Sequence, residues 1–273
     1  MWPIFTKTLY HSRKLILWLA VGFGLYGAFV GALYPFMIEN AEQYNQIMES
    51  SPEFLAFLTG MDVEEVQSYD MGNLGNFLHM EMMLWLMMIA GSVAIYQAFS
   101  AFTNAERDHS MDMLLSLPLS RRDNLLGQFG VTVVTALVAL FAGFLGVVVS
   151  APTWGEEIEW SLSATFLGVM FAFWPVIVIA ALAFLLVALS PSSRRYAGAV
   201  AYVFWIGSYM VAGVVGAIKS LNSLKPLFIY NYYNTGEIME KGIIWSDLAI
   251  LLLAAAVLLA AAWWKIEDKE LGV

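Results

Sequence analysis

Six apolar stretches, at residues 15–38, 82–105, 124–150, 162–189, 196–218 and 247–264, organise the chain; only the last includes a charged residue, Asp247 at its edge. A helix needs about 20 apolar residues to cross a hydrocarbon core of about 30 Å, and each stretch meets or approaches that length. The pattern therefore predicts an all-α membrane protein, a six-transmembrane-helix bundle forming one domain over 1–273.

The segments between the stretches carry local signals of their own. Ser51-Pro52 supplies an N-cap and a proline at the first helical position ahead of Phe54, Leu55, Phe57 and Leu58, and Asp62 with Glu65 resembles a second capping box. Short interfacial helices are expected there. Residues 226–233, Pro-Leu-Phe-Ile-Tyr-Asn-Tyr-Tyr, are too few to span and too aromatic to be slack, so they are expected to dip into the interface or pack over the bundle mouth. At the amino end, Pro3, Ile4, Phe5 and Leu9 alternate with Lys7, His11, Arg13 and Lys14, which suits an N-terminal amphipathic helix lying along the inner surface.

Composition agrees with the pattern: 60% of the 273 residues are hydrophobic and 13% charged, with a mean hydropathy of +0.71, whereas soluble domains carry roughly 25% charged residues. The absence of cysteine excludes disulfides and thiolate metal sites. The net charge of −9 matters through its distribution. Lys7, Arg13, Lys14, Arg107, Arg121, Arg122, Arg194, Arg195, Lys265 and Lys269 fall on the side of the termini, and only Lys219, Lys225 and Lys241 fall opposite. Both termini are therefore expected in the cytoplasm of a cell-membrane protein. The acidic excess lies on the outer loops and suggests no nucleic-acid partner.

Several chemistries lack their residues. No Gly-Lys dipeptide occurs, so the phosphate-binding G-x-x-x-x-G-K-[ST] loop is missing. His11, His79 and His109 are scattered and form no zinc motif. Gly22-Phe-Gly-Leu-Tyr-Gly27 matches G-x-G-x-x-G but sits inside a span, where no strand and turn can present it to a dinucleotide. Gly27 and Gly31 instead form a small-xxx-small pair suited to helix packing. Glu81, at the edge of the second span, has two readings: a solvated end residue, or a cation or proton site if it faces a cavity.

One charged segment, 106–122, interrupts two long apolar runs. Met111, Leu114 and Leu115 share one helical face and Asp108 and Asp112 another. Pro118 ends that helix, and Ser120-Arg-Arg-Asp123 forms a capping box that starts the third span. On physical grounds alone this is a cytoplasmic loop with an interfacial helix.

The segment also resembles the first cytoplasmic loop of type-2 ATP-binding-cassette exporter permeases, in which an acidic pair, a glycine, a Leu-Leu and a Pro-x-x-Arg follow in this order. Ser110 stands where that family usually has glycine, Arg107 interrupts the acidic pair, and Gln128 sits where a lysine often follows. The resemblance implies a transport subunit with no ATPase site of its own, joined to ABC ATPase (nucleotide-binding) subunits that bind ATP and magnesium. This chain would bind no cofactor or metal and contribute no catalytic residue. It would pair with a second permease copy or paralogue in the lipid bilayer and export a drug, antibiotic peptide or lipid.

By the same resemblance, a cytoplasmic coupling helix lies between spans 2 and 3, and Glu106, Arg107, Asp108, Met111, Asp112, Leu114, Leu115, Arg121 and Arg122 contact the ATPase subunit. Two other readings stand beside transport. One is a non-transporting scaffold or sensor that recruits a cytoplasmic partner. The other is an intramembrane hydrolase using Glu64 and Glu65.

Overall fold

The computed structural model describes residues 2–59, 63–67, 69–107, 120–155, 158, 160–190 and 194–266, and among them every regular element is helical. The chain begins with α1 (Trp2–Glu39) and continues through three short helices, α2 (Ala41–Ser50), α3 (Pro52–Thr59) and α4 (Val63–Gln67). Next come α5 (Leu74–Leu78), a π-helical turn (His79–Met83) and α6 (Leu84–Arg107), stacked end to end. α7 (Arg121–Ser150) follows, then α8 (Leu162–Phe171), α9 (Phe173–Leu189) and α10 (Arg194–Ala217). Two 3₁₀ segments (Lys219–Leu227 and Ile229–Tyr232) lead to α11 (Thr235–Lys241) and α12 (Trp245–Lys265).

Among the described residues, six helical runs are long and apolar enough to cross a membrane: Trp2–Glu39, Leu74–Ser100, Arg121–Thr153, Leu162–Leu189, Ala197–Ala217 and Trp245–Lys265. The number agrees with the hydropathy pattern, but the ends move. Span 2 starts at Leu74 because the Asn73 side chain caps α5, accepting from the N–H groups of Gly75 and Asn76. Leu74, Phe77 and Leu78 are then buried. Span 4 has an interruption at Ala172, where α8 ends at Phe171. The ring of Pro175 conflicts with the carbonyl four residues earlier, which is that of Phe171.

The expected surface-lying amino-terminal helix is corrected. Trp2 to Glu39 form one continuous helix, about 57 Å long at about 1.5 Å per residue. Its start packs along span 3: Ile4 is buried, and Ile4 and Phe5 lie against Gly127 and Gly130 of α7. Further along, Gly24 faces Ala142 and Gly146, Gly27 faces Gly143, and Gly31 faces Val147 and Ser150. The two numberings rise together, so spans 1 and 3 are parallel neighbours that approach backbone to backbone at Gly24, Gly27, Gly143 and Gly146.

Span 4 occupies the centre, with Val176, Ile179, Ala180, Phe184 and Val187 buried, and contacts α6, α7, α10 and α12. One buried apolar cluster runs through all six spans. The termini share one end of the bundle: Arg122 at the start of span 3 touches Trp263 at the end of span 6, and the same stretch of α7 receives Ile4. At the far end, α3 lies across α10, with the Phe57 backbone against Gly213.

Candidate functional site

At the end that carries the termini, the loop between spans 2 and 3 is framed by defined helix ends. α6 closes at Arg107, so Glu106 and Arg107 belong to its last turn. Asp108, Met111, Asp112, Leu114 and Leu115, with the coupling helix they were expected to form, lie outside the described residues. On the other side, Ser120 Oγ accepts the Asp123 N–H at 3.0 Å and donates to Asp123 Oδ2 at 2.8 Å. A capping box thus starts α7.

Arg122 extends from that first turn to span 6. Its guanidinium lies 3.7 Å from the Trp263 ring centroid, and its Nε donates to the Trp263 carbonyl at 3.4 Å. Arg121 is half-buried in the same turn. Force applied to the loop would therefore enter α7 through a capped terminus already clasped to α12.

Further inside, Gln97 Nε2 donates to Thr135 Oγ1 at 2.9 Å, tying the two helices that carry the loop. The Thr135 hydroxyl donates in turn to the Val131 carbonyl at 2.8 Å. Among the described residues the buried Gln97 Oε1 atom has no hydrogen-bond partner. Gln97, Thr132 and Thr135 line a cavity of about 10 Å³ shared with Leu19 and Phe23 of span 1.

On the outside of the bundle, spans 2 and 5 leave an open groove of about 440 Å³. Trp85, Ile89, Tyr96, Tyr202 and Ile206 make it apolar and aromatic, with Ser92 as a small polar position. Above it, Trp205 Nε1 donates to the Met88 carbonyl at 3.1 Å, and the Tyr202 hydroxyl donates to the Ser92 carbonyl at 2.9 Å. These bonds fix the groove walls.

The far end is closed from above by the 219–241 segment. Tyr230 and Tyr233 are buried, and burial pushes both phenols up, so they remain neutral donors. Tyr230 donates to the Trp205 carbonyl at 3.2 Å. Trp205 lies twelve residues before Ala217, or about 18 Å along the helix. The aromatic stretch therefore descends deep into the bundle rather than resting at the interface. Gly242, at φ +80°, then turns the chain out of α11 toward α12.

Beside this segment the π turn sorts its two ionisable residues. Glu81 is exposed, and its backbone carbonyl accepts from the Tyr26 hydroxyl at 2.6 Å. His79 is 3% exposed and packs against Tyr233 and Thr235. The sequence singles out Glu81; the buried group is its neighbour. His79 shares the i, i+3, i+4, i+7 face of Gly75, Leu78 and Met82, all buried, whereas Glu81 points away from that face. Gln97, Thr135 and Trp205 carry no distinguishing sequence signal, because each looks like an ordinary residue of an apolar helix. The Glu64 and Glu65 side chains fall outside the description.

Gly27 and Gly31 belong to the seam between spans 1 and 3, against Gly143 and Ser150 respectively. Among the described residues no group of three or more His, Asp or Glu side chains could hold a metal ion.

No curated protein and no solved structure matches the chain. The family model for ABC-2 family transporter proteins matches residues 5–271, covering all six spans and the loop between the second and third. A multi-pass bundle of this kind, lacking a phosphate-binding loop and matched almost from end to end, belongs to the ABC-2 family of transporter proteins.

Proposed function

We propose that this chain is the transmembrane permease subunit of an ATP-driven exporter, working with separate ATPase subunits and a second permease copy or paralogue. The observation that supports this most is the family match over residues 5–271 in a chain that has no phosphate-binding loop. ATP and magnesium would be held by the ATPase subunits, and both termini with the 106–122 loop would face the cytoplasm, as the basic residues on that side favour.

Cargo is read from the walls available to it. The groove between spans 2 and 5 is apolar and aromatic, which suits a hydrophobic or amphipathic molecule such as a drug, antibiotic peptide or lipid. A second bundle facing this groove would enclose it. Work delivered at the loop would reach span 2 through α6 and spans 3 and 6 through the Ser120 cap and the Arg122–Trp263 contact.

The test is reconstitution in sealed vesicles with the ATPase subunit that co-purifies with the chain. ATP-dependent movement of an amphipathic dye, lost when the ATPase Walker lysine is replaced, is the expected result. A chain that co-purifies with a cytoplasmic protein lacking ATPase activity would instead support the scaffold reading.

A further inference from the structure

His79, on the π turn of span 2, faces the first N–H groups of α11, the helix that closes the descending segment. The Thr235 N–H donates to His79 Nδ1 at 3.2 Å. The Thr235 hydroxyl donates to the Tyr233 hydroxyl at 2.9 Å, which donates to the Gly168 carbonyl of span 4 at 3.0 Å. A backbone N–H can only donate, so Nδ1 must be the acceptor and the imidazole must be neutral with its proton on Nε2. Thr235 is fully buried, and its N–H belongs to the helix start, where no carbonyl of α11 can receive it.

We infer that His79 is a proton-sensitive latch that holds the 219–241 segment docked between spans 2 and 4. Protonation at Nδ1 changes an acceptor into a donor. The new N–H can turn to Thr235 Oγ1, also 3.2 Å away, but the Thr235 N–H then has no acceptor. An imidazolium would also sit at a buried position beside the Tyr233 ring, 5.5 Å away between centroids, shut off from the water that would solvate its charge. Undocking α11 relieves both penalties.

Among the described residues, the surrounding titratable groups do not provide a counter-charge at the ring. Tyr26 and Tyr34 of α1 direct their phenols to the backbone of Glu81 and Gly72, and Tyr233 directs its own to Gly168. Glu81 in the same turn is exposed. On α11, Glu237 pairs with Lys241 at 2.9 Å on the solvent side, and Glu240 is exposed. The packed part of span 4, Leu162–Phe171, has no ionisable side chain.

The absence of native cysteine makes the test direct. Ile238→Cys reports the buried face of α11 and Glu240→Cys its exposed face. Each full-length variant is placed in lipid nanodiscs and labelled with a water-soluble thiosulfonate. The labelling rate of the Ile238→Cys protein is divided by that of the Glu240→Cys protein, which cancels the pH dependence of the thiol. Lowering the pH from about 7.5 to about 4.5, across the imidazole range, should raise this ratio at least about tenfold.

In the His79→Asn background, where the amide oxygen can still accept from Thr235 but cannot be protonated, the ratio should stay within about twofold. A pH-independent ratio in the His79 protein, or an equal rise in His79→Asn, would overturn the latch. If His79→Asn does not yield a monodisperse protein, His79→Gln serves as the non-titrating background with the same two outcomes.

Discussion

Tyr230 stacks on Trp205 with ring centroids 4.9 Å apart and an interplanar angle of 25°, and donates a hydrogen bond to the carbonyl of the same residue. The indole N–H of Trp205 is itself used on the Met88 carbonyl of span 2. One tryptophan of span 5 thus joins the descending segment to span 2. A Cβ on Gly91 would come within 2.6 Å of the indole, so the absence of a side chain there makes room for it.

Thermal unfolding should rank substitutions in this cluster. Tyr230→Phe keeps the stack and removes one hydrogen bond, an expected loss of about 1 kcal/mol. Trp205→Ala removes the fully buried indole and should cost about 3–5 kcal/mol. The double variant Trp205→Ala with Tyr230→Ala should lose less than the sum of the single alanine variants, because the residues share a contact.

The seam between spans 1 and 3 should not tolerate bulk. Gly27 and Gly143 face each other so closely that any Cβ on Gly27 collides with backbone. Gly27→Leu is therefore expected to abolish the monodisperse peak in size-exclusion chromatography. Gly22→Ala is the control: nothing lies within 4 Å of its would-be Cβ, and the exchange should be neutral or stabilise by up to about 1 kcal/mol.

Inside the bundle, the Gln97–Thr135 bond should show the cost of breaking one side of a buried polar pair. Thr135→Val leaves the Gln97 amide without its acceptor and is expected to lose about 1–3 kcal/mol. Adding Gln97→Met to that variant removes the stranded amide, including the already unpartnered Oε1, and should recover most of the loss in the same melting assay.

At the loop, Ser120→Ala should destabilise the start of α7 by about 1 kcal/mol through loss of the cap. Arg122→Ala removes a cation–π contact worth about 0.5–1 kcal/mol at an exposed site. In the reconstituted complex both variants should uncouple ATP hydrolysis from dye transport more than they lower hydrolysis itself, since each loosens the link from loop to helix. Equal losses of the two rates would contradict that role.

Charge reversal tests the expected ATPase contact. Glu106→Lys combined with Asp108→Lys should reduce co-purification of the ATPase subunit at least about tenfold, while Glu237→Lys on the opposite end should leave it unchanged. Retention of the ATPase in the loop variant would remove these residues from the interface.

Much of this arrangement is legible in the residue pattern, for reasons visible at particular positions. Charge-free runs mark the spans because a charge in hydrocarbon is expensive, and Ser120 and Asp123 reveal a helix start because their side chains serve backbone groups three residues away. Leu15 and the basic residues before it suggested a break that does not exist. The helix runs through them because Gly127 and Gly130 offer Ile4 and Phe5 a place to pack, an advantage written on another helix. His79 was inconspicuous for a similar reason: its partner Thr235 is 156 residues away.

By itself, the sequence determined six membrane-crossing helices, the absence of an ATPase loop, the resemblance to a transporter permease, and the side on which basic charge collects. These depend on run length, composition and short spacings, and the cost of polar groups in lipid makes them local quantities. The tertiary structure alone decided that spans 1 and 3 are packed neighbours, that span 4 is central, that Tyr230 descends to Trp205, and that His79 rather than Glu81 is enclosed. All four depend on which uncharged helix faces meet. Lipid is as apolar as those faces, so the choice rests on shape and on a few long-range hydrogen bonds rather than on hydropathy.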